Sequence, residues 1–107
     1  RTGGRSFLTV LKLFGPANEA PLSFPLAGWT LTVDVPVGDP DLPRLLDRFD
    51  EQVAEVGGRI YLAKDARMRP ELLAAMYPRL AEWQEVRASV DPHGLIRSDL
   101  SERLGLS

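Results

Sequence analysis

Two lysines stand where a positive charge could act on a bound ligand. Lys12 lies inside S-F-L-T-V-L-K-L-F, residues 6–14, a run rich in β-formers that Gly15-Pro16 closes. Alternate side chains of a strand share a face, so Leu8, Val10, Lys12 and Phe14 point one way, and Phe7, Thr9, Leu11 and Leu13 the other. A second alternating run, Trp29 to Val35, sets Trp29, Leu31, Val33 and Val35 opposite Thr30, Thr32 and Asp34. If both strands join one sheet, a cation among apolar side chains comes to lie beside two hydroxyls and a carboxylate. Such a face suits a pocket that holds a hydroxylated ligand against apolar walls. It also suits a solvated sheet face on which Lys12 pairs with Asp34, and pattern alone favours that plainer reading.

The second candidate is Lys64, followed by Asp65 in Y-L-A-K-D, at the end of an expected third strand, Arg59 to Ala63. Ligands of sheets built from β-α-β units gather beyond the carboxyl ends of the strands, where this lysine would stand. The competing reading is an exposed strand exit. His93, after Asp91-Pro92, reads as a loop residue, and Trp29 and Trp83 read as core. No nucleophile-base pair, glycine-rich phosphate loop or paired-carboxylate motif occurs at a specific spacing.

The elements that must position these residues follow from periodicity. Leu42, Leu45, Leu46, Phe49, Val53 and Val56 recur at helical spacing and stop at Gly57-Gly58, predicting a helix. The Trp29/Leu31/Val33/Val35 face is the surface it is expected to cover, with the third strand returning beside the second as a right-handed crossover. Pro70 and Pro78 open two shorter helices, Glu71 to Met76 and Arg79 to Val90, the latter with Leu80, Trp83, Val86 and Val90 turned inward. Asp99, with Glu102 three residues on, is placed to cap a last turn. The fold class is therefore α+β: a small antiparallel or mixed sheet with helices on one face.

A chain of 107 residues with 44% hydrophobic content fits one small domain. A net charge of -2 leaves no basic excess for a phosphate backbone, which argues against nucleic-acid binding. Zero cysteines exclude disulfides and thiolate ligands, and one histidine leaves no basis for a histidine metal cluster, so no metal site is expected. No apolar run is long enough to cross a bilayer, and the first residues carry no signal-peptide pattern. The chain opens on Arg1 and enters a strand-like run within a few residues, from which we expect a piece cut from a longer parent.

Four segments carry a resemblance: S-F-L-T-V-L-K-L-F-G, P-L-A-G-W-T-L-T-V-D-V-P, G-G-R-I-Y-L-A-K-D-A-R and D-P-H-G-L-I-R-S-D-L-S-E-R-L-G-L. In order, over nearly all of the chain, they resemble the C-terminal end of the decaprenylphosphoryl-β-D-ribose oxidase group, FAD-linked oxidoreductases of the vanillyl-alcohol-oxidase type. The resemblance implies that residues 1–107 are the C-terminal part of a substrate, or cap, domain, and that the FAD-binding domain lies upstream. It implies that Lys64 is the active-site lysine beside flavin and substrate and that Tyr61 lies close to the flavin ring. Leu8, Val10, Lys12 and Phe14, with Thr30 and Thr32, then form the substrate wall. It implies a polyprenyl-phosphoryl sugar oxidised at a secondary alcohol, a partner reductase completing an epimerase, and a cytoplasmic parent peripheral to the inner membrane.

The sequence also departs from the group. Mycobacterial members carry asparagine and cysteine where this chain has Thr30 and Thr32, so Thr32 offers a hydroxyl in place of a thiol. Aldonolactone oxidases carry His-Trp-Gly-Lys where this chain reads Tyr61-Leu62-Ala63-Lys64, which moves the resemblance away from lactones. A non-catalytic α+β binding or dimerisation module remains the alternative. On either reading the chain alone is expected to fold and to be catalytically inert.

Overall fold

The computed structural model describes residues 6–107, so the first five residues of the expected 1–107 unit lie outside it. Strand β1 spans Leu8–Phe14 and β2 Gly28–Asp34, and the two form an antiparallel hairpin. Helices α1, Leu42–Glu55, α2, Leu73–Met76, α3, Leu80–Val90, and α4, Asp99–Arg103, follow, with single 3-10 turns at Leu62–Lys64 and Pro70–Leu72. The α+β class stands.

The core is small and lies among the helices. Met68, Leu73, Met76, Tyr77, Leu104 and Leu106 form it, with Leu22, Val53, Ile60, Leu62, Leu80, Trp83 and Leu100 packed around them. Each of these large side chains, if fully buried, contributes about 1.5–3 kcal/mol. Tyr77 is fully buried, and its hydroxyl donates to the Ile60 carbonyl at 2.6 Å. Three glycines permit the turns that close this core. Gly57, at φ +75°, ends α1, and a side chain on Gly58 would meet Val53 Cγ1 at 2.8 Å. Gly105, at φ +68°, reverses the chain after α4 so that Leu104 and Leu106 both enter the core.

Helix α1 does not cover the sheet. Arg67 pairs with Asp47 and Asp50, and Arg69 with Glu51, which draws the helix against the segment that leads into α2. Asp50 is the buried charge on that side; burial pushes its carboxyl up, and the Arg67 guanidinium 2.9 Å away opposes the shift. Phe49 and Val56 are exposed, as are Val86 and Val90 on α3, so the inward stripes expected on both helices hold only in part. With α1 held elsewhere, the face made by Leu11, Leu13, Trp29, Leu31 and Val33 stays open. Trp29 is 68% exposed and is not a core residue.

The third strand does not form either. Arg59 to Tyr61 are not in a ladder: the Ile60 carbonyl accepts from Tyr77 and the Tyr61 carbonyl accepts the Lys64 N–H at 3.1 Å, while the Arg59 side chain donates to the Ser23 carbonyl at 2.6 Å. There is accordingly no β-α-β crossover. The helix expected from Glu71 begins as a 3-10 turn and becomes α-helical only at Leu73. Ser98, not Asp99, caps α4: its hydroxyl accepts the Ser101 N–H at 3.1 Å, and the Ser101 hydroxyl accepts the Ser98 N–H at 2.8 Å.

Tyr77→Phe deletes a donor and leaves the half-buried Ile60 carbonyl without it, so urea denaturation should show a loss of about 1–2 kcal/mol. Burial pushes the Tyr77 hydroxyl from an ordinary value of 10.0 up to about 12, with Arg59 opposing the shift. Because the folded value lies above the unfolded one, this stabilisation is complete below about pH 10 and is lost as pH rises toward 12. The fall should be on the order of 2–3 kcal/mol, and Tyr77→Phe should abolish it.

Candidate functional site

The hairpin register decides which side chains meet. Val10 stands opposite Thr32, Lys12 opposite Thr30, Leu8 opposite Asp34 and Phe14 opposite Gly28. Directly opposed residues of an antiparallel pair share a face, so Leu8, Val10, Lys12, Phe14, Thr30 and Thr32 line one side, away from Trp29 and Leu31. Lys12 therefore faces hydroxyls, not a carboxylate. Asp34 lies four residues along the ladder, about 13 Å away, and the expected Lys12-Asp34 pair is absent among the described residues.

A row of rings connects this face to the second candidate. Phe14, at the end of β1, meets Phe24 edge-on with centroids 5.7 Å apart, and Phe24 meets Tyr61 at 5.2 Å. The loop that carries Phe24 is strapped to the helices by Arg59 at Ser23 and by Arg79 at the Glu19 carbonyl. Tyr61 opens the 3-10 turn that ends on Lys64, and the residue is 47% exposed. Lys64 is exposed, and among the described residues its ammonium has no carboxylate partner. The polar hairpin face and the Lys64 turn are thus two ends of one aromatic row. A concavity of about 190 Å³ beside α1, lined by Asp41, Arg44, Leu45 and Arg48, includes none of these residues.

Asp65 overturns the reading of Lys64-Asp65 as a solvated strand exit. Its side chain is 4% exposed. One carboxylate oxygen accepts the N–H groups of Arg67 and Met68 at 3.2 and 2.9 Å, and the other accepts Arg103 at 2.6 Å. The same guanidinium donates to the Met68 carbonyl at 2.7 Å. Burial works to raise the Asp65 carboxyl, but the Met68 N–H, the Arg103 guanidinium and the Arg67 N–H outweigh it and hold the group below its ordinary value. Sequence reading assigned roles to neither Arg103 nor Phe24. K-D-A-R-M does carry one usable signal, an aspartate able to accept the N–H groups two and three residues on; nothing local marks Arg103, 38 positions later.

Comparison with known proteins places the chain. The family model for D-arabinono-1,4-lactone oxidase matches residues 31–104, well over half of it. The chain belongs to that family. It is 51% identical over 106 residues, 99% of its length, to the decaprenylphosphoryl-beta-D-ribose oxidase of Mycolicibacterium smegmatis. It is 52% identical over 97 residues, 91% of its length, to an uncharacterized protein of Streptomyces coelicolor. It spans only about a quarter of these relatives, 23% and 26% of their lengths. Among the described residues no helix is long and apolar enough to cross a membrane.

Because the folded value of Asp65 is depressed, its stabilisation is complete above the unfolded value, about 3.9, and is lost as pH falls through the folded value. Asp65→Asn should remove that part of the acid limb. At pH 7 it should cost about 1.5–3 kcal/mol, the range for a hydrogen bond to a charged group. Denaturation followed from pH 7 down to pH 2 checks both.

Proposed function

We propose that this chain is the substrate-facing C-terminal part of an FAD-dependent oxidoreductase that oxidises a secondary alcohol of a polyprenyl-phosphoryl sugar. The observation that carries the reading is the aromatic row joining the Lys12/Thr30/Thr32 face to the Tyr61-Lys64 turn. It gives one surface two hydroxyls, two cations and an apolar floor. The match over nearly the whole chain to an enzyme named for decaprenylphosphoryl-ribose supports the substrate class.

The residues present fit one end of a flavin. Tyr61, half-exposed, offers a flat ring, and Lys64 an ammonium with no carboxylate partner beside it. On this reading the FAD diphosphate would be held by an upstream domain. When bound, FAD supplies the hydride acceptor. Lys64 would stabilise negative charge arriving at the pyrimidine end of the flavin, from a fixed position that needs no reorganisation. Thr30 and Thr32 would hydrogen-bond the sugar, Leu8, Val10 and Phe14 would exclude water from its apolar faces, and Lys12 would hold the sugar or its phosphate. The same reading assigns residues 1–107 to a cap domain, adds a reductase partner that completes an epimerisation, and puts the parent in the cytoplasm, peripheral to the inner membrane.

Lys64→Ala in the full-length protein should fold and keep FAD, yet reduce it roughly a hundred- to a thousand-fold more slowly at saturating substrate, the usual cost of removing one preorganised stabilising group. Lys12→Ala should chiefly weaken substrate binding. Stopped-flow reduction against substrate concentration separates the two. Equal limiting rates in wild type and Lys64→Ala would return Lys64 to a surface charge.

A further inference from the structure

Lys64 and Asp65 carry opposite charges on adjacent residues, an arrangement that invites them to neutralise each other. They do not pair; the Asp65 carboxylate is engaged elsewhere, at both of its oxygens. Two backbone N–H groups occupy one oxygen, and Arg103 occupies the other at 2.6 Å while also donating to the Met68 carbonyl. A guanidinium suits this task because its fork reaches carboxylate and carbonyl together, which an ammonium cannot do as well. Arg103 is itself fixed at the end of α4, which the Ser98-Ser101 capping box starts and the buried Leu104 and Leu106 follow.

We propose that Arg103 is a positioning residue for Lys64: by holding the Asp65 carboxylate it keeps the neighbouring ammonium unneutralised for the reaction. The inference rests on the reading of Lys64 as the charge beside the flavin. It adds a residue on the C-terminal helix that acts through Asp65 and touches neither substrate nor cofactor. Loss of Arg103 frees a carboxylate next to Lys64, and the damage is electrostatic as well as structural. Removing the carboxylate should therefore undo it.

Competitive acetylation of the full-length apoprotein at fixed pH, read by mass spectrometry as the ratio of Lys64 to Lys12 modification, tests this without turnover. The ratio should fall at least about two-fold in Arg103→Leu, since an ion-paired amine is a poorer nucleophile. It should return in Asp65→Asn/Arg103→Leu and stay near wild type in Arg103→Lys. In the holoprotein, limiting flavin reduction should slow about ten-fold in Arg103→Leu, less than the hundred-fold or more expected on losing Lys64. Substrate affinity should be unchanged, and the double variant should recover the rate. An unchanged ratio in Arg103→Leu, or a double variant as slow as the single one at the same melting temperature, would reduce Arg103 to a scaffold residue. If Arg103→Leu does not fold, Asp65→Asn alone decides: a ratio equal to wild type supports the proposal, and a rise, meaning that the carboxylate already sits on Lys64, overturns it. Should Lys64→Ala reduce flavin normally, the functional reading fails, while the acetylation pattern still tests the Arg103 link.

Discussion

The carboxylate of Asp65 accepts from the Met68 N–H at 2.9 Å and from Arg103 at 2.6 Å, tying a turn in mid-chain to a helix 38 residues later. Both flanks of the turn depend on that tie. On one side, Met68 enters the core with Leu73, Met76 and Tyr77. On the other, Lys64 and Tyr61 stand at the surface in a single 3-10 turn, which by itself is too short to persist in water. The tie is largely buried and its oxygens are satisfied, so it imposes little of the penalty that a half-paired buried charge carries. A small core of short elements thus gains a fixed point beside the residues proposed to face the flavin.

The hairpin obeys a different constraint. Its two faces differ in chemistry because its sequence alternates, and neither is covered by a helix. The polar face communicates with the Lys64 turn through Phe14, Phe24 and Tyr61, and the apolar face presents Trp29 and Leu31 to solvent. A two-stranded ribbon is marginal alone. In the proposed parent, the remaining three quarters of the protein would supply what this ribbon packs against.

Alternation made the hairpin legible: the faces of β1 and β2 follow from side-chain direction and are kept in the observed register, which nevertheless sets Asp34 opposite Leu8 and not beside Lys12. The start of α1 at Leu42 and its end before Gly57-Gly58 were equally readable. The third strand was not, because I-Y-L-A has strand composition while its backbone carbonyls are taken by the distant Tyr77 hydroxyl, at Ile60, and by the Lys64 N–H, at Tyr61. The placement of α1 failed for a related reason. An apolar stripe says that a helix must cover something, but Arg67 and Arg69, beyond the helix, chose what. Of the candidate site, Lys12 and its neighbours came from pattern and Lys64 from strand-end reasoning that the absent strand no longer supports; the resemblance, not the periodicity, had singled out Tyr61.

The central claim is that the Lys12/Thr30/Thr32 face and the Tyr61-Lys64 turn make a single site. A crystal structure of the full-length protein with flavin and a non-oxidisable sugar-phosphate analogue tests it most directly. The account predicts the analogue between Lys12 and Lys64, with Thr30 or Thr32 hydrogen-bonded to the sugar and Asp65 still on Arg103. An analogue seated on the Trp29/Leu31 face, or a Lys64 ammonium paired with Asp65 and turned from the flavin, would contradict it.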